Sequence, residues 1–285
     1  MKINLAKHRG FCFGVKRAID IALNTLEKNK DVYILGDIVH NENVMKELRK
    51  AGIKKIKRLA RGKNKTFLIR AHGACKNSIK QAMRLGYNIV DTTCPMVKEI
   101  HRIASDMEKK KYKIIIIGDK KHDEVHGIIG QLKNKPLVID GLKNILFKKT
   151  RKINKACVIV QSTQNLEKVL AIVRVLKQYV KKLVFFNTIC KPTRLKQAEI
   201  KRMPLENDLM LIIGSKASAN TKRLYEISKS LNQKSFWINS KKEIRRGWFK
   251  GVKKVGITAG ASTPDITTQE IISQVRKITR SKSYR

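Results

Sequence analysis

Three segments of the chain repeat one pattern, and any fold has to accommodate all three. Ile34-Leu35-Gly36-Asp37-Ile38-Val39-His40, Ile116-Ile117-Gly118-Asp119-Lys120-Lys121-His122 and Ile212-Ile213-Gly214-Ser215-Lys216-Ala217-Ser218 run apolar, apolar, Gly, then Asp or Ser. Each reaches His or Ser four positions after the glycine, and His40, His122 and Ser218 each lie 28 residues after a cysteine: Cys12, Cys94 and Cys190. A further strand-end segment closes each copy, at Arg70-Ala71-His72-Gly73, Gln161-Ser162-Thr163 and Ala259-Gly260-Ala261-Ser262. One such match could arise by chance; three in register mark an internal repeat of roughly 90 residues.

The surrounding sequence says what the repeating unit is. Val32–Leu35, Thr66–Ile69, Asn88–Val90, Ile114–Ile117, Cys157–Val160, Leu183–Phe186, Leu209–Ile213 and Val255–Thr258 are short apolar runs that read as buried strands. Between them, Val15, Ile19, Ala22 and Leu26, then Val97, Ile100, Ala104 and Met107, keep helical spacing. This βα alternation predicts an α/β fold of three similar αβα units with mainly parallel sheets, arranged with pseudo-threefold symmetry around a central pocket. The units are expected at 1–93, 94–189 and 190–285, with the residues near 1–12 open to packing with the third. No Pro/Gly/Ser-rich linker separates them. Ligands of open parallel sheets bind beyond the carboxyl ends of strands, where helix N-termini supply N–H groups, so the repeated strand ends are the expected site.

A net charge of +42 makes nucleic acid the first partner to weigh. The lysines, however, are scattered over almost every polar stretch, and the chain has neither zinc-finger spacing nor an aromatic RNA-binding signature. Weak, salt-sensitive adhesion to polyanions is expected, and specific nucleic-acid binding is not. The N-terminal segment Met1–Arg9 carries charges throughout and no long apolar run, so no signal peptide is read, and no run approaches the ~18 residues of a membrane span. A cytoplasmic protein is expected.

Five cysteines without a CxxC pair suggest neither a disulfide framework nor a zinc ribbon. Cys12, Cys94 and Cys190 each precede a helical stretch, and Pro95 suits a first helical position. A helix N-terminus favours thiolate, the form that ligates metal. Three thiolates on one axis can hold an iron–sulfur cluster with one iron open, or zinc with one open site; the all-sulfur set favours the cluster. Cys75 and Cys157 have no counterparts in the repeat and read as ordinary buried or half-exposed thiols. His40, His72 and His122, beside hydroxyls and Asn220, suit a phosphorylated ligand, and Glu124 is placed to carry a proton in a sequestered site.

At these residues the chain resembles the family of 4-hydroxy-3-methylbut-2-enyl diphosphate reductases, over about Lys2 to Ile278. The blocks that carry the resemblance are GFCFGVKRAI from Gly10, VHN from Val39, AHG from Ala71, DTTCP from Asp91 and HDEV from His122. QST from Gln161, NTIC from Asn187, GSK with Ser218 and Asn220, and TAGASTPD from Thr258 follow in order. The resemblance implies one four-iron, four-sulfur cluster held by Cys12, Cys94 and Cys190. It implies a diphosphate bound by His40, His72, His122, Ser218, Asn220 and Ser262, and Glu124 as the proton-delivering acid with Ser162 or Thr163 as the hydroxyl beside it. Two electrons, expected from a small redox protein such as flavodoxin or ferredoxin, and two protons would then remove the substrate hydroxyl as water, giving isopentenyl or dimethylallyl diphosphate.

There are departures. Ala217-Ser218-Ala219-Asn220 stands where Asn-Ser-Ser-Asn is common, a missing contact expected to cost about 1.5–3 kcal/mol. Lys191-Pro192-Thr193-Arg194-Leu195-Lys196-Gln197 has Pro and Lys where Ala and Arg are usual, Ser162 replaces a Thr, and Asp123 a Pro. Alternatives are another three-cysteine iron–sulfur dehydratase, such as one like quinolinate synthase, or, from a different class, a basic nucleic-acid-binding protein.

Overall fold

The computed structural model describes residues 1–147 and 153–280; residues 148–152 of the second predicted unit and 281–285 of the third lie outside the described residues. Its strands are β1 (Lys2–Leu5), β2 (Val32–Leu35), β3 (Lys54–Ile56), β4 (Thr66–Ile69), β5 (Asn88–Asp91), β6 (Lys113–Ile117), β7 (Leu137–Ile139), β8 (Lys155–Val160), β9 (Lys182–Phe185), β10 (Leu209–Ile213), β11 (Ser235–Ile238) and β12 (Lys254–Ala259). The α-helices are α1 (Phe13–Lys28), α2 (Glu42–Lys50), α3 (Lys76–Arg84), α4 (Pro95–Lys109), α5 (Asp123–Ile129), α6 (Leu142–Phe147), α7 (Leu166–Tyr179), α8 (Lys191–Ile200), α9 (Met203–Glu206), α10 (Ala219–Leu231) and α11 (Asp265–Arg280).

The strands form three four-stranded parallel sheets, β3-β2-β4-β5, β7-β6-β8-β9 and β11-β10-β12-β1. Every sheet has the same order: the second strand of its set lies outside the first, and the third and fourth follow on the other side. In the third sheet the fourth place is taken by β1, from the opposite end of the chain, with Ile3 opposite Val255. The chain divides into two compact units. One comprises residues 1–13, 40–44 and 191–285 and holds the sheet closed by β1; the other comprises 14–39 and 45–190 and holds the remaining two.

Each expected strand is present, and each strand absent from the sequence expectation (β1, β3, β7, β11) is a sheet edge. These edge strands are less completely buried than a central one: β3 reads exposed, exposed, intermediate, whereas β10 is buried along its whole length. A continuous apolar run is the signature of a strand covered on both faces, and an edge strand has no such requirement.

The second sheet shows the consequence. Ile115, Ile117, Val158 and Val160 pack on one face with Val169, Ile172, Val173 and Leu176 of α7. Ile114, Ile116, Cys157 and Ile159 pack on the other with Ile100, Ala104 and Met107 of α4 and Val125 and Ile128 of α5. The helix that begins after Cys94 and the helix that carries Glu124 therefore share one sheet face. Alternation of period two supplies both faces from single strands. Ile116→Ala should lower the unfolding free energy by about 2–5 kcal/mol in urea titration of the reduced protein; a loss under about 1 kcal/mol would contradict the burial of that face.

Helix α4 buries Val97, Ile100, Ala104 and Met107, as its spacing predicts. Helix α1 differs: its buried stripe is Gly14, Ala18, Ala22 and Thr25, with Val15, Ile19 and Leu26 only partly covered. Small residues permit close approach, so the side facing the protein is set by what fits rather than by what is most apolar. No described helix is long and apolar enough to cross a membrane.

Candidate active site

The repeated segments lie at the carboxyl ends of the first and third strands of each sheet. This is the topological switch point, because the chain leaves the first strand toward one edge and returns on the other side of it. Cys94 is the N-cap of α4, with Pro95 at the helix start, and Cys12 and Cys190 immediately precede α1 and α8. Three backbone bonds repeat the arrangement. The Cys94 N–H donates to Ala71 O at 3.0 Å, the Cys190 N–H to Ser162 O at 3.1 Å, and the Cys12 N–H to Ala261 O at 3.1 Å. Each acceptor belongs to a segment closing a third strand. Cys12 is thus anchored by the last such segment of the chain, the one beside β1. All three thiols are partly exposed. Cys157 is sealed in the core of the second sheet, where burial pushes its thiol up to about 12, and the Cys75 thiol donates to His126 O at 3.3 Å.

Gly14, the second residue of α1, lies against Cys94. A Cβ there would come within 2.4 Å of Cys94 Sγ, so only glycine leaves the thiol its place.

The most completely specified group is Glu124, at the second position of α5 and 1% exposed. Its Oε1 accepts the Ser162 N–H at 2.6 Å and its Oε2 the Ser162 hydroxyl at 2.7 Å. Burial raises its pKa above the ordinary glutamate range, and the two bonds from Ser162, which favour the charged form, only partly oppose it. Ser162 in turn gives its carbonyl to Cys190, so one residue joins the buried acid to a candidate ligand. Of the two hydroxyls expected beside Glu124, Ser162 is the one in contact. Thr163 Oγ1 accepts from Gln161 Nε2 at 3.0 Å, while Gln161 Oε1 accepts the Asp119 N–H at 2.8 Å. Gln161 thereby laces the two strand ends together. The QST block contains it, but an isolated glutamine carries no sequence signal for such a role.

His122 caps α5, its Nδ1 accepting the Glu124 N–H at 3.1 Å. The neutral ring then carries its proton on Nε2. His72 meets this ring edge to face, with centroids 5.5 Å apart. His72, His122, Glu124, Ser162, Thr163, Cys94 and Cys190 belong to the unit with two sheets.

The other unit gathers Cys12, His40, Ser218, Asn220 and Ser262. Ser218 caps α10, accepting the Thr221 N–H at 3.3 Å, and the Ser262 hydroxyl donates to His40 O at 3.2 Å. Asn220 occupies the repeat position of Glu124, two residues past the cap. Its Oδ1 accepts the Ala261 N–H at 3.0 Å, as Glu124 accepts that of Ser162. Asn220 Nδ2 is buried with no hydrogen-bond partner among the described residues, a donor left available to a ligand. The third counterpart, Glu42, follows a different path, accepting from Ser215 Oγ at 2.7 Å and Asn239 Nδ2 at 3.2 Å. The same repeat position thus holds a buried carboxyl group, an amide with a buried unpaired donor and a structural acceptor.

Asp123, at the start of α5, pairs with Arg70 at 2.7 Å and so ties the end of β4 to the helix that carries Glu124.

The family model for LytB protein matches residues 3–276. A 4-hydroxy-3-methylbut-2-enyl diphosphate reductase of Aquifex aeolicus is 37% identical over 280 residues, 97% of this chain and 96% of that one. One of Caldanaerobacter subterraneus is 38% identical, covering 98% of each. Among solved structures, that of (E)-4-hydroxy-3-methyl-but-2-enyl diphosphate reductase, the terminal enzyme of the non-mevalonate pathway, has a TM-score of 0.72 at 36% identity, covering 97% of this chain and 100% of that one. The reductase from Plasmodium falciparum reaches 0.87 at 28% identity, covering 95% and 87%. Matched from end to end at this level, in sequence and in fold, the chain belongs to the LytB family, the 4-hydroxy-3-methylbut-2-enyl diphosphate reductases.

Proposed function

We propose that the chain reductively removes the hydroxyl of 4-hydroxy-3-methylbut-2-enyl diphosphate, yielding isopentenyl and dimethylallyl diphosphate, with Cys12, Cys94 and Cys190 holding one four-iron, four-sulfur cluster. The donor set fits that group: three sulfurs, each at a helix start, each with its backbone N–H fixed on a strand-end carbonyl, and a glycine in place of any side chain against Cys94 Sγ. When bound, such a cluster supplies electrons and, at the iron without a cysteine, a Lewis-acid position for the substrate hydroxyl.

The remaining chemistry falls to side chains. Glu124, whose affinity for a proton burial raises, donates that proton to the departing oxygen so that it leaves as water. Ser162 keeps both carboxyl oxygens oriented, and its N–H and hydroxyl stabilise the carboxylate left after transfer. The diphosphate is bound by His40, His72, His122, Ser218, Asn220 and Ser262. In this set Ser218 and His122 stand at helix N-termini, which favour anions, and Asn220 offers its Nδ2. Electrons come from a small acidic redox protein such as flavodoxin or ferredoxin, whose approach a chain of net charge +42 steers.

The observation that carries this reading is the Glu124–Ser162–Cys190 connection, which places a buried carboxyl group one residue away from a cysteine anchor. The full chain purified without oxygen should contain iron and sulfide in equal amounts and, with a reduced low-potential donor, convert the substrate to both products. Iron-free protein, or loaded protein without turnover, would overturn it.

A further inference from the structure

We infer that Lys196, together with Glu199, is a positioning residue for Cys12. Lys196 lies on α8, the helix that starts directly after Cys190, and is only 4% exposed. Its ammonium donates to three backbone carbonyls: His8, Gly10 at 3.0 Å and Ala259 at 3.3 Å. An ammonium has three N–H bonds, and here each finds an oxygen. Glu199, three residues further along the same helix, takes the opposite polarity. Its two carboxylate oxygens accept the N–H groups of Lys7 at 2.5 Å and His8 at 2.9 Å.

These bonds fall on the segment that most needs them. Residues 7–10 leave β1, where its ladder with β12 ends, and return to that strand through the Gly10 N–H, which donates to Ala259 O at 3.3 Å, while the N–H groups of Lys7 and His8 and the carbonyls of His8 and Gly10 turn to α8. Unpaired backbone groups in partly buried surroundings are costly, so the segment would rearrange if nothing met them. Gly10 turns there with φ +73°, and its carbonyl is one of the three that Lys196 holds. The second anchor of Cys12, Ala261 O, lies two residues beyond Ala259, whose carbonyl Lys196 also holds. The two backbone segments that place the Cys12 thiol, already bonded from Gly10 N–H to Ala259 O, are therefore also joined at one nitrogen. A methionine would keep the length of the side chain and lose every donor; an arginine would keep the charge and the donors.

This inference rests on Cys12 being a cluster ligand only for its iron readout. The test uses the full chain as wild type, Lys196→Met, Lys196→Arg and Glu199→Gln. In the metal-free, reduced protein, alkylation of Cys12 and of Cys94 by iodoacetamide is followed by peptide mapping. After anaerobic reconstitution, iron loss to a chelator is followed. Lys196→Met should alkylate Cys12 about threefold faster or more with Cys94 unchanged, and lose iron about 10-fold faster. Lys196→Arg should restore both toward wild type, and Glu199→Gln should fall between. A folded Lys196→Met with Cys12 alkylation unchanged, or with Cys12 and Cys94 accelerated equally, would overturn the positioning role. Should Lys196→Met fail to fold, Glu199→Gln decides on the same alkylation comparison. Wild-type protein that takes up no iron would overturn the cluster reading, while the alkylation comparison would still decide the role of Lys196.

Discussion

Glu124→Gln is expected to bind substrate as the wild type does and to turn it over about 10²-fold or more slowly. The substitution is nearly isosteric. Its side-chain oxygen still accepts the Ser162 N–H, and its amide can donate to a Ser162 hydroxyl that now accepts. Only the transferable proton disappears. Substrate affinity by calorimetry and single-turnover rate by product chromatography separate the two effects, and wild-type turnover in the variant would remove Glu124 from proton delivery. The raised pKa fixes a second readout. Because the folded state holds this proton more tightly than the unfolded chain, its contribution to stability is complete below the ordinary glutamate range near about 4.3 and is lost as pH rises through the raised folded value. Replacing the carboxyl with an amide removes that loss, so the variant should gain stability relative to wild type as pH rises. The wild-type rate should fall on the same alkaline limb, as the acid loses its proton.

Gly14→Ala is expected to weaken cluster binding about 10–100-fold without unfolding the protein. Alanine is favoured over glycine in a helix by up to about 1 kcal/mol, so α1 itself gains. The cost falls on Cys94: the new methyl would be placed 2.4 Å from Sγ and 3.2 Å from Cβ. The backbone of Cys94 cannot retreat easily, since its N–H is held on Ala71 O at 3.0 Å and it caps α4. What can move is the Sγ, by rotation about the Cα–Cβ bond, and that rotation is the one that withdraws the ligand. Iron affinity should fall about 10–100-fold, measured by chelator competition, while the thermal midpoint of the metal-free protein stays level or rises. Undiminished iron retention would show that Cys94 does not hold the metal from this rotamer.

The two substitutions probe different layers of the same strand-end architecture, and they differ in how visible they were from the sequence. The 28-residue interval between each cysteine and its His or Ser comes from covalent spacing. It marked Cys12, Cys94 and Cys190 before any fold was known. Glu124 stood out because it lies two residues past His122. That Gly14 serves Cys94, and not the neighbouring Cys12, depends on the packing of α1, whose buried stripe of small residues departs from the apolar face its sequence suggests.

By itself the sequence determined what local and covalent constraints can carry. It determined the strands buried on both faces, which must be apolar throughout. It also determined the α/β alternation and the cysteines and capping residues at the heads of helices, whose chemistry belongs to the first turn. Tertiary structure alone decided the edge strands β1, β3, β7 and β11 and the long-range partners. β1 closes the third sheet from the other end of the chain because an exposed edge strand needs hydrogen-bond partners, and its own sequence does not name them. Ser162 rather than Thr163 reaches Glu124, because the folded strand end turns both the N–H and the hydroxyl of Ser162 toward the carboxyl group, while Thr163 Oγ1 accepts from Gln161. Lys196 and Glu199 share one helix and close on a loop nearly 190 residues earlier, with the lysine reaching Gly10 across a separation of 186. Residue types establish which bonds can form; only the folded backbone, by bringing distant donors and acceptors within about 3 Å, selects the ones that do.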